Sequence, residues 1–206
     1  MSFCAGARSM LERWRCCARA LVGDKRGVAA VEFAIIAPLL LSLYFVTMEV
    51  SQGIETNKKV SRVGSMVADL VTQQQTIVKS EIDAIMKIGE AILQPYSRSE
   101  GKIVITAIKI SDEATPAVTV EWSRKLVNGV ASVDAIKPAP TTVPPALRIR
   151  NTFLIRVESD LAYKPVIVWA ESKPVLGLNA AFDGISMSET YYLRPRMSQS
   201  IPCTDC

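Results

Sequence analysis

The stretch V28-A-A-V-E-F-A-I-I-A-P-L-L-L-S-L-Y-F-V-T-M48 decides the fold. It runs for 21 residues with one charge, Glu32. At 1.5 Å rise per helical residue it reaches roughly 30 Å, the hydrocarbon thickness of a bilayer. Pro38 removes one helix donor, which a membrane helix tolerates better than a soluble one. A secretory signal has an apolar region of only ~7–15 residues and small residues before its cleavage point. This run is longer, and Glu49-Val50-Ser51-Gln52 follows it. A buried core helix of this length with a basic flank is rare. The reading is a transmembrane helix over 28–48.

Charge sets its orientation. The 206-residue chain carries 24 Lys and Arg against 20 Asp and Glu, a net charge of +4. Residues 1–27 hold Arg8, Arg13, Arg15, Arg19, Lys25 and Arg26 against Glu12 and Asp24, so the basic excess lies in front of the apolar run and the remainder is neutral. A nucleic-acid-binding domain carries such an excess on its folded part. Here it reads as a cytoplasmic leader, 1–27, with residues 49–206 exported.

The 49% apolar and 21% charged composition excludes a disordered chain. The absence of histidine excludes a Ser-His-Asp triad, a Cys-His pair and a His-ligated zinc site. An enzyme would need Ser-Lys or paired-carboxylate chemistry. Lys58 and Ser61 share a helix face, as many polar pairs on a long helix do. No spacing singles out a catalytic pair, so no enzymatic activity, cofactor, metal or small-molecule substrate is expected.

Past the membrane run, Ile54, Val60, Val63, Val67, Leu70 and Val71 continue a helical period, and Gln73-Gln74-Gln75-Thr76 breaks it. A second helix is predicted over about 80–94, with Ser80-x-x-Asp83 as its start and Pro95 as its stop. The period then becomes two. Strands are predicted at Lys102–Ile110 and Ala117–Lys125, the second with Val118, Val120 and Trp122 on one face. Ser111–Pro116 would link them as a hairpin. Residues 128–148, with Pro138, Pro140, Pro144 and Pro145, read as an exposed loop. Further strands are predicted at Thr152–Val157, continuing toward Tyr163, and at Gly184–Leu193, while 165–178 is ambiguous. Helices followed by strands give α+β, an antiparallel sheet packed on helix.

The cysteines divide by compartment. Cys4, Cys16 and Cys17 fall on the reducing side, and no apolar stretch precedes Cys4 to make it a lipidation site. Cys203 and Cys206 fall on the exported side, where a small disulfide loop forms readily. A catalytic redox C-x-x-C usually belongs to a thioredoxin-like βαβ unit with a helix after it, and this one stands at the chain end with no helix following, which makes the redox reading the weaker one. Two cysteines are too few for a four-ligand zinc site.

Glu32 is the costly residue, since a carboxylate inside an apolar run is expensive. It serves either as a helix-start charge favoured by the dipole or as a partner for a cation on another chain. A cut after Gly27 would create an amine on Val28, about one helical turn from Glu32, and a charge pair between neighbouring subunits would offset the burial of both.

Arg26-Gly27, then Val28-Ala29-Ala30-Val31-Glu32-Phe33-Ala34, then an apolar run with Pro38, resembles the TadE-like proteins, minor pseudopilins of the tight-adherence (Tad, or Flp-type) pilus system of bacteria. Val157-Glu158-Ser159 through Tyr163-Lys164-Pro165 and Tyr191-Tyr192-Leu193-Arg194-Pro195-Arg196 with Cys203 extend the likeness loosely. The resemblance implies a pilin-like fold, a long N-terminal helix packed on an antiparallel sheet. It also implies cleavage between Gly27 and Val28 by a prepilin peptidase, and an assembly role for Glu32 and Phe33. Its implied setting is the bacterial inner membrane, N-terminus cytoplasmic and C-terminal domain periplasmic, among other pilin-like subunits and Tad assembly proteins. Such a chain serves adhesion and secretion machinery and needs no nucleic acid. Arg194 and Arg196 flank a rigid proline and read as an exposed basic turn or a contact for a partner's carboxylate. The alternative is a single-pass exported binding or sensor module unrelated to pili, with residues 1–27 retained.

Overall fold

A computed structural model describes residues 27–93, 101–165 and 185–206. The predicted leader up to residue 26, the Pro95 stop and most of the ambiguous 165–178 stretch lie outside these. The chain divides into two units, Met1–Met48 and Glu49–Cys206. Helix α1 covers Val28–Thr72 and α2 covers Lys79–Leu93. The strands are β1 (Gly101–Ile110), β2 (Val118–Val127), β3 (Val130–Val133), β4 (Ala139–Pro140), β5 (Thr152–Ala162) and β6 (Ser186–Leu193), with a 3-10 turn at Pro145–Leu147. The sheet runs β3-β2-β1-β5-β6, with β4 beside β3 along the same edge of β2. Every strand pair is antiparallel. The α+β layout, long apolar helix first and antiparallel sheet after, is the one the sequence predicts.

In the Glu49–Cys206 unit one face of the sheet carries the helices. Val60, Val63, Val67 and Val71 recur at three- and four-residue steps on α1, and with Ile82 and Met86 of α2 they cover Ile103, Ile105, Trp122, Leu126, Ile155 and Val157. The other face holds a smaller cluster, Ile108, Ile110, Val118 and Leu154, under Val143 and Leu147.

Three local expectations need correction. Val118, Val120 and Trp122 do not share a face. Ala107 pairs Trp122 but the next residue, Ile108, pairs Val120. Glu121 is therefore the extra residue of a bulge. The bulge turns Trp122 into the helix-side core and leaves Val118 on the opposite side. Residues 128–148 are not all loop. Asn128 and Gly129 both take positive φ, 52° and 73°. That is the two-residue turn matching strand twist, and it returns the chain as β3 with Val130 opposite Val127.

The third correction concerns α2. Ser80 and Asp83 do not cap it. Glu81 reaches back to accept from the Val78 N–H at 3.1 Å, and Asp205 accepts from the Lys79 N–H at 2.6 Å. Asp83 instead takes both guanidinium bonds of Arg124, at 2.6 and 2.7 Å. Arg124 is the buried cation of β2, its side chain only 5% exposed, and it needs that carboxylate.

Candidate assembly site

The first half of α1 is bare. Gly27 has no neighbouring heavy atom within 4 Å of where a Cβ would sit. Val28 opens the helix and is exposed, as are Val31, Phe33, Ile35, Leu39 and Leu43. Glu32 is exposed too, and makes no hydrogen bond or ion pair among the described residues. Glu32 is four positions on from Val28, which places them one above the other on one helix face. The hydroxyls in this half are satisfied within the helix: Ser42 donates to the Leu39 carbonyl and Thr47 to that of Leu43, each at 2.8 Å. A helix surrounded by lipid needs such internal bonding. Among the described residues α1 is the one helix long and apolar enough to cross a membrane, and none of its most apolar window is buried. It fits a single-pass membrane anchor.

The second half of α1 is bonded along its length to the sheet. Glu49 is buried, 4% exposed, and accepts from the Tyr163 hydroxyl at 2.5 Å. Ser159 donates to the Val60 carbonyl at 3.2 Å. Ser61 and Tyr191 share a hydrogen bond of 2.6 Å. At Gly64 a Cβ would lie 2.7 Å from the Tyr191 ring and 3.0 Å from the Ser159 hydroxyl, so only glycine allows this approach. Arg196 pairs with Asp69 at 2.7 Å, and its N–H donates to the Thr72 carbonyl at 2.9 Å.

The predicted site residues fall in separate places. Gly27, Val28, Glu32 and Phe33 gather at the start of α1. Cys203 and Cys206 are joined as a disulfide across three residues. With Asp205 they form a compact set of donor atoms. While the sulfurs bond each other they are not metal ligands. Arg194 is exposed, whereas Arg196 is engaged by Asp69 of its own chain. The sequence reading did not single out Glu49, Gly64 or Asp205. Glu49 had a signal: a carboxylate at the end of an apolar run needs a partner, and Tyr163 supplies one. Asp205 had none, because its target is more than a hundred residues away.

An exposed apolar helix whose continuation packs on an antiparallel sheet defines an α+β protein with a helix that fits a membrane anchor. Residues 27–68 match the family model described as TadE-like protein, so the chain is similar to TadE-like proteins over this segment. The match begins at Gly27, takes in the whole bare half of α1, and ends within the bonded half. No curated protein and no solved structure matches the chain.

Proposed function

We propose that the chain is a membrane-anchored minor pseudopilin of a Tad-type pilus machine, with a structural role and no catalysis of its own. The observation that carries this is a TadE-like match starting at Gly27 on a helix whose first half is apolar and exposed. In this reading a prepilin peptidase cuts between Gly27 and Val28. The new Val28 amine and the Glu32 carboxylate of a neighbouring subunit then neutralise each other where neither is well solvated. Phe33 and the exposed aliphatic residues pack laterally against other pilin-like helices. The N-terminus lies in the cytoplasm, the helix in the inner membrane and the folded unit in the periplasm, where Arg194 is free to meet an assembly partner.

The test is the N-terminal residue and intact mass of membrane-extracted protein, made with and without the host's prepilin peptidase. A peptidase-dependent start at Val28 is expected. A Met1 start in both backgrounds overturns the processing step and leaves an anchored exported module.

A further inference from the structure

Residues 196–206 form a strap over the connection between α1 and α2. Trp122 donates its indole N–H to the Ile201 carbonyl at 2.8 Å, and Ile201 is fully buried. Ile77, in the connection, donates to the Pro202 carbonyl at 3.1 Å and accepts from the Thr204 N–H at 3.2 Å. Cys203 and Ile77 thus form a short parallel bridge. The strap ends in the Asp205 cap on α2. The first N–H groups of a helix have no partner within it, and Asp205 supplies one for Lys79.

Asp205 lies inside the ring closed by the Cys203–Cys206 bond. Its Oδ1, the atom that caps Lys79, is 3.7 Å from the Cys203 sulfur. In the disulfide that sulfur carries no proton. Once reduced it is a thiol, a donor to the same oxygen, and the ring that fixes Asp205 is open. The bond is also reachable. Cys206 is exposed and Cys203 half-buried. Both line an open cavity of about 380 Å³ together with Trp122, Lys109 and Lys137.

We propose that Cys203–Cys206 is a thiol–disulfide exchange site that sets the cap on α2. A dithiol reductant attacks one sulfur as thiolate, forming a mixed disulfide and releasing the other cysteine. Its second thiol then displaces the first bond. The reductant leaves as a disulfide, and Cys203 and Cys206 hold the two electrons and two protons as thiols. Oxidation by a disulfide carrier reverses each step. The exchange does not rest on the pilus reading. With the orientation proposed above, it ties the firmness of α2 to arrival in an oxidising compartment.

Hydrogen exchange read by mass spectrometry on the detergent-solubilised full chain tests this, with and without dithiothreitol and with intact mass tracking the thiols. Reduction should speed exchange of the amides of residues 79–82 by about tenfold and leave those of β1 and β5 unchanged. Asp205→Ala should speed the same amides with the disulfide intact. Unchanged exchange in fully reduced protein overturns the proposal. So does equal loss across β1 and β5, which would make the bond a staple for the whole domain. If Cys203→Ser/Cys206→Ser fails to fold, reduction of the folded wild type still decides.

Discussion

Glu32 and Glu49 stand near the two ends of one apolar run and meet opposite fates. Glu32 is exposed with no partner among the described residues, while Glu49 is buried and bonded to Tyr163. The contrast extends along the helix. From Val28 to Tyr44 the large apolar side chains are exposed; from Glu49 to Thr72 polar bonds and close packing fasten α1 to the sheet and to the segment that follows it. A carboxylate in apolar surroundings needs compensation. At Glu49 the chain provides it internally. At Glu32 no compensation is found among the described residues, which is what the proposed assembly role requires.

Substitutions can break this contrast in graded steps, read as thermal melting of detergent-solubilised protein. The largest effect is expected at Gly64→Leu. The Tyr191 ring cannot retreat without losing Ser61, so overpacking should cost about 3 kcal/mol, a fall in Tm on the order of 10 °C. Ala34→Leu in the bare half, the matched control, should change stability by less than about 0.5 kcal/mol. Comparable losses at both positions would erase the distinction. Glu49→Ala removes the buried acceptor of the Tyr163 hydroxyl and should cost about 2 kcal/mol. Tyr191→Phe keeps the ring over Gly64 and gives up only the bond to Ser61, about 1 kcal/mol. Arg196→Ala should cost least, about 0.5 kcal/mol. That small loss should shrink further in high salt, because both partners of the Asp69 pair are well exposed.

The architecture was legible because it rests on strong periodic signals. The 28–48 run, the valine steps of α1 and the β-branched run of β1 are each long enough for one reading to outweigh its rivals. What escaped the sequence depends on single residues whose role is fixed by distant ones. Glu121 looks like an ordinary strand residue until the β1 register skips it. Asn128-Gly129 did carry a hairpin signal, hidden by the prolines that follow. Asp83 matched a capping pattern, but the buried Arg124 on β2 claims it more strongly than a helix end does. Glu32 stood out in the sequence for a related reason: it violates the apolar pattern around it, and no remedy for it is found among the described residues.

The central claim is that the bare half of α1 is built for other chains. The direct measurement is photo-crosslinking in membranes from a probe at Phe33, in wild type, Glu32→Ala and Glu49→Ala. The account predicts crosslinks to pilin-like chains in wild type, their loss in Glu32→Ala without a change in Tm, and their persistence in Glu49→Ala despite its lower Tm. Full crosslinking in Glu32→Ala would contradict it.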